Sequence, residues 1–133
     1  MSRREPRWVS RIVVEAVHVD QIREHGGLLG LRDDNALESA LARPRQKWHY
    51  DPEADLPDLA AAYAFGICTN HSFRDGNKRV AFLTAVVFLG LNGLAFAAND
   101  SDVVDTIVAL AAGDLEEASL AEWLRDRTSR RNK

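Results

Sequence analysis

The sequence predicts a mainly α-helical domain packed around one central apolar helix. Apolar residues recur at helical spacing in several segments, and most of these segments begin at a capping residue and end at glycine. Alternation typical of strands is nearly absent. The run from Lys78 to Leu91 has almost no polar face after its first turn, so other helices must enclose it. With 133 residues and no linker or repeat, residues 1–133 are expected to form one domain.

Helices are predicted, in chain order, over residues 10–24, 35–42, 57–70, 78–91, 101–112 and from 119 onward. Ser10 can cap the first helix, and the glycines after His25 stop it. Asp33 or Asp34 caps the second helix, which is expected to end at Pro44. The segment Ser119 to Glu122 fits a capping box for the last helix.

Two kinds of segment are expected to lie outside helices. Residues 45–56, with the sequence RQKWHYDPEADL, show no helical period and contain a proline, which predicts an ordered loop or a small hairpin. The ends of the chain, residues 1–7 and 127–133, are expected to be flexible.

Composition narrows the class of protein. The formal net charge of -3 disfavours a nucleic-acid duplex as the main substrate. Cys68 is the single cysteine, which excludes an intrachain disulfide and indicates an inert core residue. The apolar run Val80 to Leu91 is too short to span a bilayer, and the N-terminus lacks the apolar run of a signal peptide. We therefore expect a soluble, cytoplasmic protein without membrane contact.

The polar segment HSFRDGNKR, residues 71–79, interrupts two apolar helices and is the candidate site. A helix start offers unpaired N–H groups and a partial positive charge, so it suits a phosphate. Gly76 allows the backbone to approach a ligand closely, and Asn77 adds an amide. Lys78 and Arg79 are two cations in a first helical turn, where cations are normally disfavoured, which indicates an anionic ligand.

Two further side chains in this segment can do chemistry. Asp75 is a hard oxygen ligand that suits Mg²⁺ when phosphates supply other positions. His71 can take a proton near neutral pH and is the candidate general base. Phe73 is expected to turn inward and hold the loop to the core. These groups favour phosphoryl or nucleotidyl transfer. The alternative from spacing alone is a helix–loop–helix corner whose polar groups only satisfy one another.

The segment HSFRDGNKR resembles the Fic signature, with all seven defined positions filled. The segment HGGLLGLRDDNALESALARP, the motif FLGLNG and the short length are similar to the death-on-curing (Doc) branch of that family. The resemblance covers roughly residues 8 to 125. It implies a Fic/Doc-type helical bundle and the toxin of a type II toxin–antitoxin pair.

The resemblance also implies an activity, cofactors and partners. The best-known activity of the branch is ATP-dependent phosphorylation of a threonine on elongation factor Tu, which stops translation. It implies Mg²⁺ as cofactor, ATP as co-substrate and a small Phd-like antitoxin as partner. By position, His71 would be the base and Asp75 the Mg²⁺ ligand. Gly76 and Asn77 would bind an anion, and Lys78 and Arg79 the nucleotide phosphates.

Two departures bear on the reaction. Nucleotidylating Fic enzymes commonly have glycine at the position of Lys78 and a second arginine at the position of Phe82. Both differences favour a protein kinase over a nucleotidyltransferase. A nucleotidyltransferase and a non-catalytic antitoxin-binding module remain the alternatives, and an mRNA-cleaving toxin is a more distant one.

Other residues outside the motif are candidates for contact. The segment 45–56 falls where the family has a flap that docks the target peptide, so Trp48 and Tyr50 are expected to contact the target or the antitoxin, or else to anchor the loop. His18 and His25, seven residues apart, could line a pocket or lie at the helix surface and cap. Arg32 and Asp33 are expected to form a turn or ion pair rather than a ligand site.

Overall fold

The computed structural model describes residues 3–131 and confirms the mainly α-helical fold class. This part of the chain contains six helices and two short strands. Their bounds are α1 Arg11–His25, α2 Asp34–Tyr50, α3 Leu56–Asn70, α4 Asn77–Leu91, β1 Leu94–Phe96, α5 Asp100–Ala112, α6 Glu117–Asp126 and β2 Thr128–Arg130. Among the described residues, no helix is both long enough and apolar enough to cross a lipid bilayer.

Side-chain caps begin most of the helices. Ser10 caps α1 and Asp33 caps α2, each accepting a hydrogen bond from the backbone N–H three residues later. This confirms the predicted cap of α1 and selects Asp33 over Asp34. Asp55 and Asp58 form a capping box at the start of α3. Local side-chain chemistry therefore determines where these helices begin.

The predicted capping box of the last helix is wrong. Helix α6 begins at Glu117 without a side-chain cap, so Ser119 and Glu122 lie inside it. The buried residues Leu120 and Leu124 pull this turn onto the core, and the apolar contact outweighs the serine's preference for a cap.

Helix α3 is the most enclosed element, although α4 has the longer apolar run. It packs against α2, α4 and α6, and ten of its residues are buried, namely Pro57, Leu59, Ala60, Ala61, Ala62, Tyr63, Ala64, Gly66, Ile67 and Cys68. Many of these are small, which allows three helices to approach one axis. Helix α4 was predicted to be central; it forms the other half of the core but leaves Leu91 43% exposed.

Helix α2 is much longer than predicted. It continues through Pro44 to Tyr50, so residues 45–50 are helical rather than a loop or hairpin, and only residues 51–55 connect α2 to α3. A proline inside a helix removes one hydrogen bond and costs stability. Tertiary contacts offset that cost: Pro44 is buried, and the residues Arg43 and Lys47 on either side of it donate to Glu117 of α6 at 3.0 Å and 2.8 Å. Local propensity is overridden here by packing.

The two strands form a small antiparallel sheet near the end of the chain. Leu94 pairs with Arg130 and Phe96 with Thr128. Residues 127–133 were expected to be a flexible end; the described part of it, to Arg131, instead contains strand β2. Strands of three residues are too short to show alternation in the sequence, so the pairing could not be predicted. Residues 1, 2, 132 and 133 lie outside the described part.

Candidate active site

His71 ends α3 in an unusual backbone conformation. Its φ and ψ of 50° and 52° are left-handed, and within residues 3–131 it is the one non-glycine residue with positive φ. The Arg32 side chain holds this corner: its Nε donates to the His71 carbonyl at 2.6 Å and its Nη2 to the Asn70 carbonyl at 2.9 Å. The His71 side chain is exposed. The His71 imidazole therefore faces solvent, while the Arg32 guanidinium holds the backbone of His71 in place.

The connection between α1 and α2 runs beside the motif loop and is bonded to it. Leu31 and Phe73 form an antiparallel bridge. The Arg32 N–H donates to the Ser72 carbonyl at 2.9 Å, and the Arg74 N–H donates to the Gly30 carbonyl at 3.0 Å. Arg32 was expected in a turn or ion pair, and its pairing with the motif loop was not predicted. The segment 28–33 therefore sets the position of the motif loop.

Phe73 and Asn77 hold the motif loop together on its buried side. Phe73 is 1% exposed, as predicted for a residue that holds the loop to the core. Its backbone N–H donates to Asn77 Oδ1, and Asn77 Nδ2 donates to its carbonyl, each at 2.9 Å. The side chain of Asn77 is therefore occupied within the loop, which leaves its backbone N–H for an anion.

Asp75 is held at two points. Its Oδ2 accepts the Leu28 N–H at 2.7 Å, and its backbone carbonyl accepts a hydrogen bond from His18 Nε2 at 3.0 Å. Gly27 is required beside it, because a Cβ at Gly27 would lie 3.2 Å from the Cβ of Asp75. Among the described residues, Oδ1 of Asp75 has no protein hydrogen-bond partner, so one carboxylate oxygen is available to a ligand.

A metal ion at Asp75 would need most of its ligands from elsewhere. Within residues 3–131 no group of three or more His, Cys, Asp and Glu side chains gathers as a metal site. Asp75 can supply one hard oxygen, and phosphate and water oxygens would have to complete the shell. This donor set fits Mg²⁺ that is bound together with a nucleotide.

The start of α4 has no side-chain cap. Gly76 begins it in the left-handed conformation, with φ 79°, and no side chain caps the first turn. The first N–H groups of α4 are therefore available to another acceptor. Lys78 and Arg79 are exposed in that same turn. The predicted phosphate-binding residues thus share one positive surface.

Two cavities meet at this surface. The larger, about 580 Å³, lies between the motif residues Asp75, Gly76, Lys78 and Arg79 and an apolar wall on α5, formed by Val104, Ile107 and Val108. The smaller, about 390 Å³, is lined by His71, Asp75, Lys78 and Cys68, among others. The structure therefore brings the predicted base, metal ligand and cations to one place.

The apolar wall was missed by sequence analysis. Val104 and Val108 are each 57% exposed, although the sequence of α5 is apolar. An amphipathic helix normally buries such residues, whereas these two line the larger cavity beside Lys78 and Arg79. A signal existed in the sequence, because α5 is apolar on more sides than a surface helix needs.

Cys68 and His18 are buried groups that border the site. Burial raises the pKa of the Cys68 thiol, which keeps it protonated, as expected for an inert core residue. Burial also lowers the pKa of His18, whose side chain is stacked on Phe73 with ring centroids 4.1 Å apart. His18 thus lies under the loop and not at the helix surface, whereas His25 lines the larger cavity.

Trp48 and Tyr50 are not brought to this site. They lie in the last turn of α2, whereas the cap of its first turn, Asp33, donates its N–H to the Ser72 carbonyl of the motif loop at 3.2 Å. At a rise of about 1.5 Å per residue, the helix places Tyr50 about 24 Å from Asp34. Trp48 packs edge-on against Trp8, with ring centroids 6.4 Å apart. The Cζ atom of Arg3 lies 4.8 Å from the centroid of the Trp48 ring. Tyr50 is 73% exposed. Their role in docking a target or antitoxin stays a prediction.

The chain is similar to known proteins over most of its length. Residues 8–89 match the model of the Fic/DOC family. The protein kinase doc of Escherichia phage P1 is 31% identical over 119 residues, which cover 90% of this chain and 94% of the phage protein. Toxin Doc of Mycolicibacterium smegmatis is 39% identical over 103 residues, which cover 74% of this chain and 78% of that protein. The chain therefore belongs to the Fic/DOC family.

Proposed function

We propose that this protein is a toxin of a type II toxin–antitoxin pair that phosphorylates a serine or threonine hydroxyl with ATP. The observation that carries this proposal is the shared cavity of His71, Asp75 and Lys78 at the uncapped start of α4. A base, an oxygen ligand and a cation within one cavity are the parts that phosphoryl transfer needs. The relatives named as a protein kinase and as a toxin support the same reading.

The proposed reaction uses groups already in place. His71 accepts the proton of the target hydroxyl while the oxygen of that hydroxyl bonds to the γ-phosphorus of ATP. The bond from the γ-phosphorus to the bridging oxygen breaks, and ADP leaves. The N–H groups at the start of α4, with Lys78 and Arg79, hold the phosphates. Asp75 would hold Mg²⁺, which when bound neutralises charge on the phosphate oxygens.

The nucleotidyltransferase is the second candidate, and Lys78 and Phe82 weigh against it. Phe82 packs edge-on against Phe96 of β1, with ring centroids 5.5 Å apart. An apolar ring at that position cannot clamp an outer phosphate as an arginine would. A non-catalytic module is the third candidate, and the exposed His71 beside Asp75 and Lys78 argues against it.

The proposed target is a translation factor, first of all elongation factor Tu, and the proposed partner is a small Phd-like antitoxin. Such a toxin would act in the cytoplasm, where translation occurs. A neutralising antitoxin segment would fold as it binds. We expect expression of this protein alone to arrest growth, and expression together with the antitoxin to relieve the arrest.

The reaction is tested by the mass added to the target. The purified protein is incubated with Mg²⁺-ATP and elongation factor Tu, then with a bacterial lysate, and modified proteins are measured by mass spectrometry. A phosphate-sized addition is expected, and His71→Ala should reduce its rate by about 10²–10⁴-fold because the base is lost.

Two outcomes would contradict the proposal. An added AMP would replace the kinase by the nucleotidyltransferase. A folded His71→Ala variant that is as active as the parent would remove His71 from the mechanism. Asp126→Ala, which removes an exposed side chain at the end of α6, away from both the motif and the segment 45–56, is the control and should leave the rate unchanged.

A further inference from the structure

His18 is a buried polar side chain that the proposed mechanism does not use. It lies in the middle of α1 and is 2% exposed. A buried polar group is costly unless it is hydrogen-bonded. Its partner is 57 residues away in the sequence: His18 Nε2 lies 3.0 Å from the backbone oxygen of Asp75. A carbonyl oxygen only accepts, so His18 donates through Nε2–H.

A second contact, with Phe73, fixes the orientation of the His18 ring. The imidazole stacks on Phe73, with ring centroids 4.1 Å apart and ring planes 18° apart. Phe73 is itself fixed by its two hydrogen bonds with Asn77. The ring of His18 therefore has little freedom, and its Nε2–H is aimed at Asp75 by packing.

Holding the carbonyl of Asp75 orients groups on both sides of that peptide bond. In a trans peptide the C=O and the following N–H point in opposite directions, so the N–H of Gly76 is directed away from His18. On the other side, the Asp75 side chain is held by the Leu28 N–H at 2.7 Å. One contact comes from α1 and the other from the turn that follows it.

We propose that His18 is a positioning residue, which through the Asp75 carbonyl sets both the Asp75 carboxylate and the first N–H groups of α4 for a metal-bound nucleotide. This inference rests on the proposed function, because it takes Asp75 as the metal ligand. Removing the donor from His18 should weaken Mg²⁺-dependent ATP binding by about 10-fold or more, the usual effect of losing a group that orients a ligand.

The hydrogen bond and the ring can be tested separately. His18→Phe keeps an aromatic ring against Phe73 but loses the donor, whereas His18→Gln loses the ring but keeps an N–H donor at similar reach. ATP binding is measured by calorimetric titration with and without Mg²⁺, and folding by thermal unfolding. We expect folded His18→Phe to bind Mg²⁺-ATP weakly and His18→Gln to bind it within about 3-fold of the parent.

Equal binding by the parent and a folded His18→Phe variant would overturn the inference. Equal weakening in His18→Phe and His18→Gln would also overturn it, because ring packing alone would then be the cause. If His18→Phe does not fold, His18→Asn replaces it, since the shorter amide does not reach Asp75. The inference then requires His18→Asn to bind weakly and His18→Gln to bind like the parent, and any other folded result refutes it.

Asp75→Asn, measured in parallel, separates this inference from the function on which it rests. If Asp75→Asn keeps the Mg²⁺ dependence of the parent, the metal role of Asp75 is wrong and the inference fails with it. If Asp75→Asn loses that dependence while the variants that lack the donor keep it, only the role of His18 is wrong.

Discussion

The candidate base, His71, is the one non-glycine residue within residues 3–131 that has a positive φ. His71 adopts a left-handed conformation at the C-terminus of α3, where glycine is the usual residue. A non-glycine residue there costs stability and persists when its surroundings hold it. Arg32, with its two hydrogen bonds to the last carbonyls of α3, supplies that support. The chain thus keeps an imidazole at a position that backbone energetics alone would give to glycine.

Replacing His71 should therefore separate stability from activity. Glycine adopts positive φ freely and alanine does not, so His71→Gly should be more stable than His71→Ala by about 1 kcal/mol. Both variants lack the imidazole and should lose phosphoryl transfer. Urea unfolding of the two variants measures the difference. If alanine proves as stable as glycine at this position, the left-handed conformation of His71 is wrong.

At the scale of the elements, the packing of α2 on α3 depends on the missing side chain of Gly66. A Cβ there would lie 3.3 Å from the Cα of Ala40 on α2, and 3.3 Å from Cδ of Arg43. The first neighbour is backbone and cannot give way without moving α2. This close approach holds the middle of α2 against the core and buries Pro44, one turn beyond Ala40. The long path of α2 is thus determined by its contact with α3.

Two glycine substitutions with different neighbours test this packing. Gly66→Val should destabilise the fold by about 1–3 kcal/mol, because the larger side chain overpacks the contact with Ala40. Gly90→Ala in α4 is the control: its Cβ would lie 3.1 Å from Nη2 of Arg131, the end of an exposed side chain that donates to the Gly90 carbonyl at 2.9 Å. The lower conformational entropy of alanine in the unfolded chain offsets the loss of that exposed hydrogen bond, so the stability should change by no more than about 0.5 kcal/mol.

Chemical denaturation of both variants measures these free energies. A Gly66→Val variant as stable as the parent would mean that α2 and α3 can separate without cost.

At the scale of the whole molecule, charged contacts tie α6 to the first half of the chain. Glu117 accepts hydrogen bonds from Lys47 at 2.8 Å and from Arg43, both on α2. Its side chain is 15% exposed. Burial alone would raise the pKa of Glu117, but the hydrogen bonds from Lys47 and Arg43 hold it below its usual value. The ion pair therefore stabilises the fold wherever Glu117 is ionised.

The sign of the pH dependence follows from that lowered pKa. The stabilisation by the ion pairs of Glu117 is fully present above the ordinary glutamate pKa of about 4.3. It is lost as the pH falls through the lower pKa of Glu117 in the folded state. Glu117→Gln keeps the shape and removes the charge, so it should cost about 1–2 kcal/mol at pH 7. The difference from the parent should shrink as the pH falls from 7 through the lowered pKa of Glu117 in the folded state.

Urea unfolding of the parent and Glu117→Gln across this pH range measures the difference. Other carboxylates titrate in both proteins and cancel in the comparison. A difference that stays constant with pH would show that the charge of Glu117 is not its source.

The sequence by itself determined the features that depend on neighbours along the chain. The caps Ser10 and Asp33 and the glycine stop after α1 were predictable, because each rests on contacts within a few residues. The inward Phe73 was predictable from its place between polar neighbours in the chain. The motif at residues 71–79 was recognisable for the same reason, since its chemistry is contiguous in the chain.

Only the tertiary structure decided how that motif is supported. The contacts of His18 with Asp75 and of Arg32 with His71 join residues 57 and 39 positions apart, and no local pattern encodes such distances. The continuation of α2 through Pro44 was likewise decided by packing, against the local preference to stop. Groups that lie close together in the sequence can be recognised from residue spacing and propensity, whereas contacts between distant segments exist only once the helices have packed.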